Sequence, residues 1–153
     1  MSVIYGPDSQ LPEEIASLLA DLARGQQAWI NGVESESIRN QHDEMTIYGP
    51  FGGPARRQKE GLQQRQAATR AQFQGGTCEP EFVQAVASDD LVVLVLLETS
   101  TVKFAGREGT HPWILRITEV YQRDGQEWRR LHRHADPLIK LRGLDDTLAL
   151  LAD

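Results

Sequence analysis

The feature that most constrains this chain is a change of hydrophobic period near Thr77. Before it, apolar residues recur at helical steps; after it, four successive strand-like runs are separated by turn residues. In the first half, residues 11–31 read as a helix. Ile15, Leu18, Leu19, Leu22, Gln26, Trp29 and Ile30 fall on one face, Glu13 and Glu14 suit the positive end of its dipole, and Gly32 suits its stop. A shorter helix is expected over residues 35–42 and a short strand over 45–48. Gly49-Pro50-Phe51-Gly52-Gly53-Pro54 is a tight loop. Residues 55–74 read as a polar surface helix whose sparse inward face is Leu62, Thr69 and Phe73, ended by Gly75-Gly76. Strands follow over 81–87, 91–104, 113–123 and 126–136, with turns at Asp89-Asp90 and Asp124-Gly125. Short helical turns are expected at 138–141 and 144–151. Helices followed by consecutive antiparallel strands predict an α+β fold, with the helices on one face of a curved sheet. A chain of 153 residues suffices for one core, so residues 1–153 read as a single domain.

Charge narrows the partners. The chain carries 16 Lys+Arg against 22 Asp+Glu, a net −6, which disfavours sequence-independent nucleic-acid binding and docking on an anionic membrane. The longest apolar run, residues 91–97, is far short of the roughly 18 residues of a membrane span. Residues 1–10 have no basic or apolar segment of the kind a secretory signal needs. Cys78 is the sole cysteine, so no internal disulfide or Cys-rich zinc site is possible. The expectation is a soluble cytoplasmic protein without a cofactor.

Strict alternation over the last strand puts Trp128, Arg130, His132, His134 and Asp136 on one side, and Arg129, Leu131, Arg133 and Ala135 on the other. On the preceding strand Ile114, Arg116, Thr118 and Val120 share a side. Trp, two His and Asp together suit neither plain core nor plain surface. They suit a half-polar concave pocket.

The run Arg116-Ile117-Thr118-Glu119-Val120-Tyr121, the turn Arg123-Asp124-Gly125, and Trp128 through Pro137 resemble the end of the nuclear transport factor 2-like superfamily. The similarity is to its SnoaL-like, ketosteroid-isomerase-like branch and to the association domain of calcium/calmodulin-dependent kinase. Residues 43–53 resemble the segment after the second helix in that branch, and the likeness covers about residues 11–140. It implies a cone: three N-terminal helices leaning on a strongly bent antiparallel sheet around an internal pocket. It also implies a homodimer packed through the convex sheet faces. Fold does not fix function, because this architecture hosts isomerases, dehydratases, cyclases and association modules.

Several residues are candidates for chemistry. His132 and His134, two apart on one strand face, are metal ligands with Asp136 as a third, a hydrogen-bonded pocket pair, or general acid/base groups. The last is favoured, since imidazole titrates near neutrality and no cysteine or second His-acid cluster adjoins them. Asp43 is either a base desolvated at the cone mouth or a turn residue. Tyr48 is either an oxyanion donor or a strand residue with a wet tip. Arg116 is either a carboxylate fork, with Thr118 beside it, or the ion-pair partner of Glu98 or another acid. Trp29 and Trp128 are pocket wall or core, with Val95, Leu97 and Ile114 completing an apolar wall; Trp113 suits a rim. The ketosteroid-isomerase trio of catalytic groups has no residue-by-residue match. Two functions follow. One is a pocket for a compact, partly apolar small molecule with a carbonyl or carboxylate, and with it cofactor-free isomerase, dehydratase or lyase chemistry. The other is an association module, with Leu115, Ile117 and Tyr121 as its interface.

Overall fold

The computed structural model describes residues 1–34 and 40–152. The strands are β1 (Val3–Tyr5), β2 (Gln41–Tyr48), β3 (Arg56–Arg57), β4 (Phe73–Ala87), β5 (Leu91–Phe104), β6 (His111–Asp124) and β7 (Glu127–Pro137). The helices are α1 (Glu13–Ile30), α2 (Leu62–Arg70) and α3 (Leu144–Leu151). The seven strands form one sheet in the order β1-β4-β5-β6-β7-β2-β3. It is antiparallel except where β2 returns to run parallel to β7.

Core formation follows from two periodicities meeting. Ile15, Leu18 and Leu22 repeat on one face of α1, and Val92, Leu94 and Leu96 repeat on one face of β5. They close on each other together with Ala85, Leu115, Ile117 and Ala135. The α+β cone is thus as expected, and β5 and α3 have the bounds read from the sequence. The apolar alternation on β6 is core, so Leu115, Ile117 and Tyr121 are buried against α1 and are not an interface.

Local differences have physical causes. Residues 55–74 are not one helix: Arg56–Arg57 pair with β2, Gln58–Glu60 make a 3-10 turn, and α2 starts after Gly61 at φ +80°. Gly75-Gly76 does not end a helix but lies inside β4. Gly76 sits at φ +143°, where a Cβ would fall 2.0 Å from the Thr101 carbonyl oxygen. The irregular pairing there frees backbone groups that Gln27 of α1 satisfies, donating to the Gly76 carbonyl at 3.0 Å and accepting from the Cys78 N–H at 3.3 Å. Gln41 and His42 belong to β2 rather than to a helix; Asn40 is in 3-10 conformation, and residues 35–39 of that expected helix lie outside the described residues. Residues 138–141 take no helical turn.

One irregularity decides the site. Between Tyr121↔Arg130 and Val120↔His132 the pairing of β6 with β7 slips by one, leaving Leu131 as an extra, unpaired residue. A bulge of one residue moves every later side chain to the opposite face.

Candidate functional site

Inside the cone lies a cavity of about 370 Å³, within the usual size of a small-molecule site. Its helical wall is Leu18, Leu22, Trp29 and Ile30 from α1, with Leu62 and Gln66 from α2. Phe73, Trp113, Leu115 and Tyr121 line the sheet side, and Gly49–Gly52 form part of the rim. An aromatic group runs from rim to floor: Phe51 stands 5.8 Å from Trp113, Trp113 5.7 Å from Phe73, and Phe73 5.8 Å from Trp29, centroid to centroid.

A buried charged network backs the cavity from inner-face positions on three adjacent strands. Glu98 breaks the apolar series of β5, Glu119 and Tyr121 sit on β6, and Arg130 and Arg133 sit on either side of the β7 bulge. Because the bulge intervenes, Arg130 and Arg133, three apart in sequence, both face inward. Arg133 Nη2 donates to Glu98 Oε1 at 2.8 Å, and Arg133 Nη1 donates to Glu119 Oε1 at 2.6 Å. Arg130 Nη1 reaches the same Glu119 oxygen at 2.9 Å. The Tyr121 hydroxyl donates to Glu119 Oε2. Two carboxylates and two guanidiniums balance in charge, which is the condition for holding ions in an apolar interior.

The two carboxylates are driven apart. Burial pushes Glu119 up, but Arg130, Arg133 and the Tyr121 hydroxyl outweigh it and hold the group below the ordinary carboxylate range. Burial pushes Glu98 above that range, only partly opposed by Arg133. Desolvation and the adjoining Glu119 charge raise Tyr121 well above its usual value. Glu98 lines the cavity, and so does Arg133.

The network is not closed. The Arg130 Nε–H and the Trp128 Nε1–H are buried without a partner among the described residues, as are the Gln66 Oε1 and the Gln41 side-chain amide. All four residues line the cavity. Buried polar groups are ordinarily satisfied, so unpaired donors and acceptors around one hollow mark where a polar guest or water is accommodated.

The candidates named from sequence divide accordingly. Trp29, Glu98 and Trp128 line the cavity. His132 and His134 do not: the expectation that they share a face with Trp128 and Arg130 is corrected by the bulge at Leu131. They lie on the outer face, paired with Thr46 and Tyr48 of β2. There His132 Nδ1 and the Thr46 hydroxyl are 2.8 Å apart, and the Tyr48 ring stands 5.7 Å from His132 and 5.3 Å from His134. Burial and the nearby His134 lower the His132 pKa. Arg116 and Thr118 also face outward. Arg116 forks onto Asp136 at 2.7 and 2.8 Å, not onto Glu98, whose partner is Arg133. Asp43 is exposed on β2, away from the cavity lining. Val95, Leu97 and Ile114 are outer-face residues too, whereas Trp113 belongs to the aromatic wall rather than to a bare rim. Glu119, Tyr121 and Arg133 were not among the pocket candidates, and Arg130, which alternation did place beside Trp128, was not singled out. The available signal was β6, whose Leu115, Ile117 and Tyr121 mark its inward side unambiguously and carry Glu119 with them.

No protein-family model matches the chain, and no curated protein does. Solved structures do. A nuclear transport factor 2-like superfamily protein of Salmonella enterica matches with a TM-score of 0.65 at 14% identity, covering 84% of this chain and 91% of its own. A proposed ketosteroid isomerase from Shewanella frigidimarina matches at 0.64 and 18%, covering 86% and 98%. The CaMKII hub homology domain of Chlamydomonas reinhardtii matches at 0.64 and 15%, covering 83% and 100%. The chain has the nuclear transport factor 2-like cone fold. At these identities the likeness shows the fold alone. No helix among the described residues is long and apolar enough to cross a membrane.

Proposed function

We propose that the cone binds a compact, partly apolar small molecule bearing a carbonyl or carboxylate. The observation that carries this reading is the pair of unpartnered buried donors, Arg130 Nε–H and Trp128 Nε1–H, in the wall of an aromatic cavity. An acceptor oxygen of the guest satisfies them, and its apolar body lies against Trp29, Phe73 and Trp113. Enclosed between helices and sheet, each hydrogen bond to the guest counts for more than in bulk water.

The same reading locates the acid/base chemistry of a cofactor-free isomerase, dehydratase or lyase. Two titratable groups pushed in opposite directions divide the roles. Glu119, held ionised, fixes the guanidiniums; Glu98, raised by burial and facing the cavity, is the group that carries a proton. Arg130 and Trp128 then stabilise charge developing on the guest's oxygen.

A thermal-shift screen of carbonyl and carboxylate metabolites tests the reading. A ligand bound only by the folded state raises the melting temperature. Hits on the wild type that vanish in Arg130→Met and Trp128→Phe support it. A flat screen over a well-folded protein refutes it and leaves the association-module alternative. Two findings favour that alternative as a companion role: the outer sheet face exposes apolar side chains, and one structural neighbour is a hub homology domain. On this reading a second copy meets the outer face to form a homodimer.

A further inference from the structure

We infer that the segment following β7, Leu138 to Leu151, is a clasp that docks on the outer sheet face of a second copy of this chain. The inference rests on the homodimer reading above but assigns that interface a specific element. Residues 138–143 run without regular structure, tethered at their start by the Leu138 N–H to the Ile114 carbonyl at 2.9 Å. They lead into α3, whose Leu144, Leu148 and Leu151 are spaced four and three apart and form one stripe. Those leucines are 72%, 53% and 77% exposed, and Leu141 is fully exposed. An isolated helix of eight residues is well below the roughly 12–15 that are even marginal in water. Such a helix holds only when its apolar stripe is covered. A contiguous apolar surface beyond a few hundred Å² on a soluble chain marks a contact site.

The register of the sheet shows what fits. Directly paired residues share a face, so Val86, Val93 and Val120 form one apolar row across the outer side, and Leu97 lies on the same side between Glu81 and Arg116. Val95 and Ile114 lie on the same side, and all six are only partly buried. The charges match as well. Lys140 and Arg142 precede α3, while Glu79 and Glu81 of β4 border these apolar residues beside Thr99 and Leu97. None of these four forms an ion pair within 4 Å among the described residues. An acidic helix turn, Asp145 and Asp146, disfavours an anionic lipid surface as the occupant. A basic linker and apolar helix on one copy, and an acid-bordered apolar sheet on the other, complement each other reciprocally about a two-fold axis.

Sedimentation velocity on the full chain tests this. The wild type sediments as a dimer, and Leu144→Asp with Leu148→Asp weakens dimerisation at least about tenfold, as the loss of a central apolar anchor does. Its melting curve stays that of a folded protein, because α3 makes no core contact. A dimer insensitive to that double change but dissociated by Val95→Asp with Leu97→Asp overturns the clasp and leaves the sheet-face dimer standing. A wild type that is monomeric throughout overturns both. Cross-linking separates exchange from self-docking. With Cys78→Ser in every chain, a mixture of Leu148→Cys chains and Val95→Cys chains forms a disulfide-linked heterodimer. A disulfide closing within one doubly substituted chain at high dilution contradicts the clasp. Co-sedimentation of a monomer with phosphatidylcholine vesicles, abolished by the α3 double change, also contradicts it.

Discussion

The two faces of β6 and β7 carry much the same side chains and hold them in different ways. The inner face has Glu119, Tyr121, Arg130 and Arg133, joined by Glu98; the outer face has Arg116, Asp136, His132, His134, and Tyr48 from β2. Inside, both carboxylates are fully buried; burial wins at Glu98, which has Arg133 alone as donor, and neighbours win at Glu119, which has Arg130, Arg133 and the Tyr121 hydroxyl. Outside, Arg116 is 59% exposed and its fork onto Asp136 is wet. Desolvation therefore confers functional potential here, and residue type alone does not. A Glu that reads in sequence as an interruption of a core strand becomes the group with the raised pKa, while of the two histidines that read as catalytic His134 is exposed and His132 only partly buried, both outside the cavity.

The bulge hides this sorting from the sequence without being needed to maintain it. Deleting Leu131 leaves Arg130 followed directly by His132, so plain alternation keeps Arg130 and Arg133 inward and both histidines outward, and a cooperative thermal transition by circular dichroism is retained. The largest loss is expected of Arg133→Ala, which leaves Glu98 and Glu119 short of their shared partner and costs about 3–5 kcal/mol in urea unfolding. Adding Glu98→Gln recovers part of that loss, since it removes one of the stranded charges. By contrast Arg116→Ala, although it breaks a bidentate pair, costs less than about 1 kcal/mol because the pair is exposed. If the two arginine variants proved equal, the inner and outer faces would not differ as described.

The smallest effect is a pH dependence. His132 is held below the ordinary histidine value of 6.5, mainly by burial. The folded state therefore binds its proton less readily than the unfolded chain. Stability from this residue is complete above pH 6.5 and declines as pH falls from there through the lower folded value. Melting temperatures from pH 8 to 5 show a decline that is shallower in His132→Gln. A steeper decline in the variant would reverse the assigned direction.

Much of the fold was legible. The α1 periodicity, the apolar β-branched run that opens β5, the Asp124-Gly125 hairpin and the α3 stripe each read as the element they form. The parallel return of β2 beside β7 was not legible, because residues 41–48 have no strong period and their place depends on long-range pairing. Nor was the start of β4, where Gly75-Gly76 read as a helix stop although the same positive-φ freedom serves an irregular strand. The candidate site suffered most from β7. Its two sides are nearly equally polar, so the pattern specifies register weakly and hides an extra residue. The apolar side of β6, paired across the bulge, carries the information that β7 lacks.

The most direct test of the central claim is a calorimetric titration of one hit from the carboxylate and carbonyl screen into three proteins. They are the wild type, Arg130→Met, and His132→Ala with His134→Ala. The account predicts equal affinity for the wild type and the histidine variant, and no measurable binding to Arg130→Met. Binding that survives in Arg130→Met and disappears with the histidines would place the site on the outer face and contradict it.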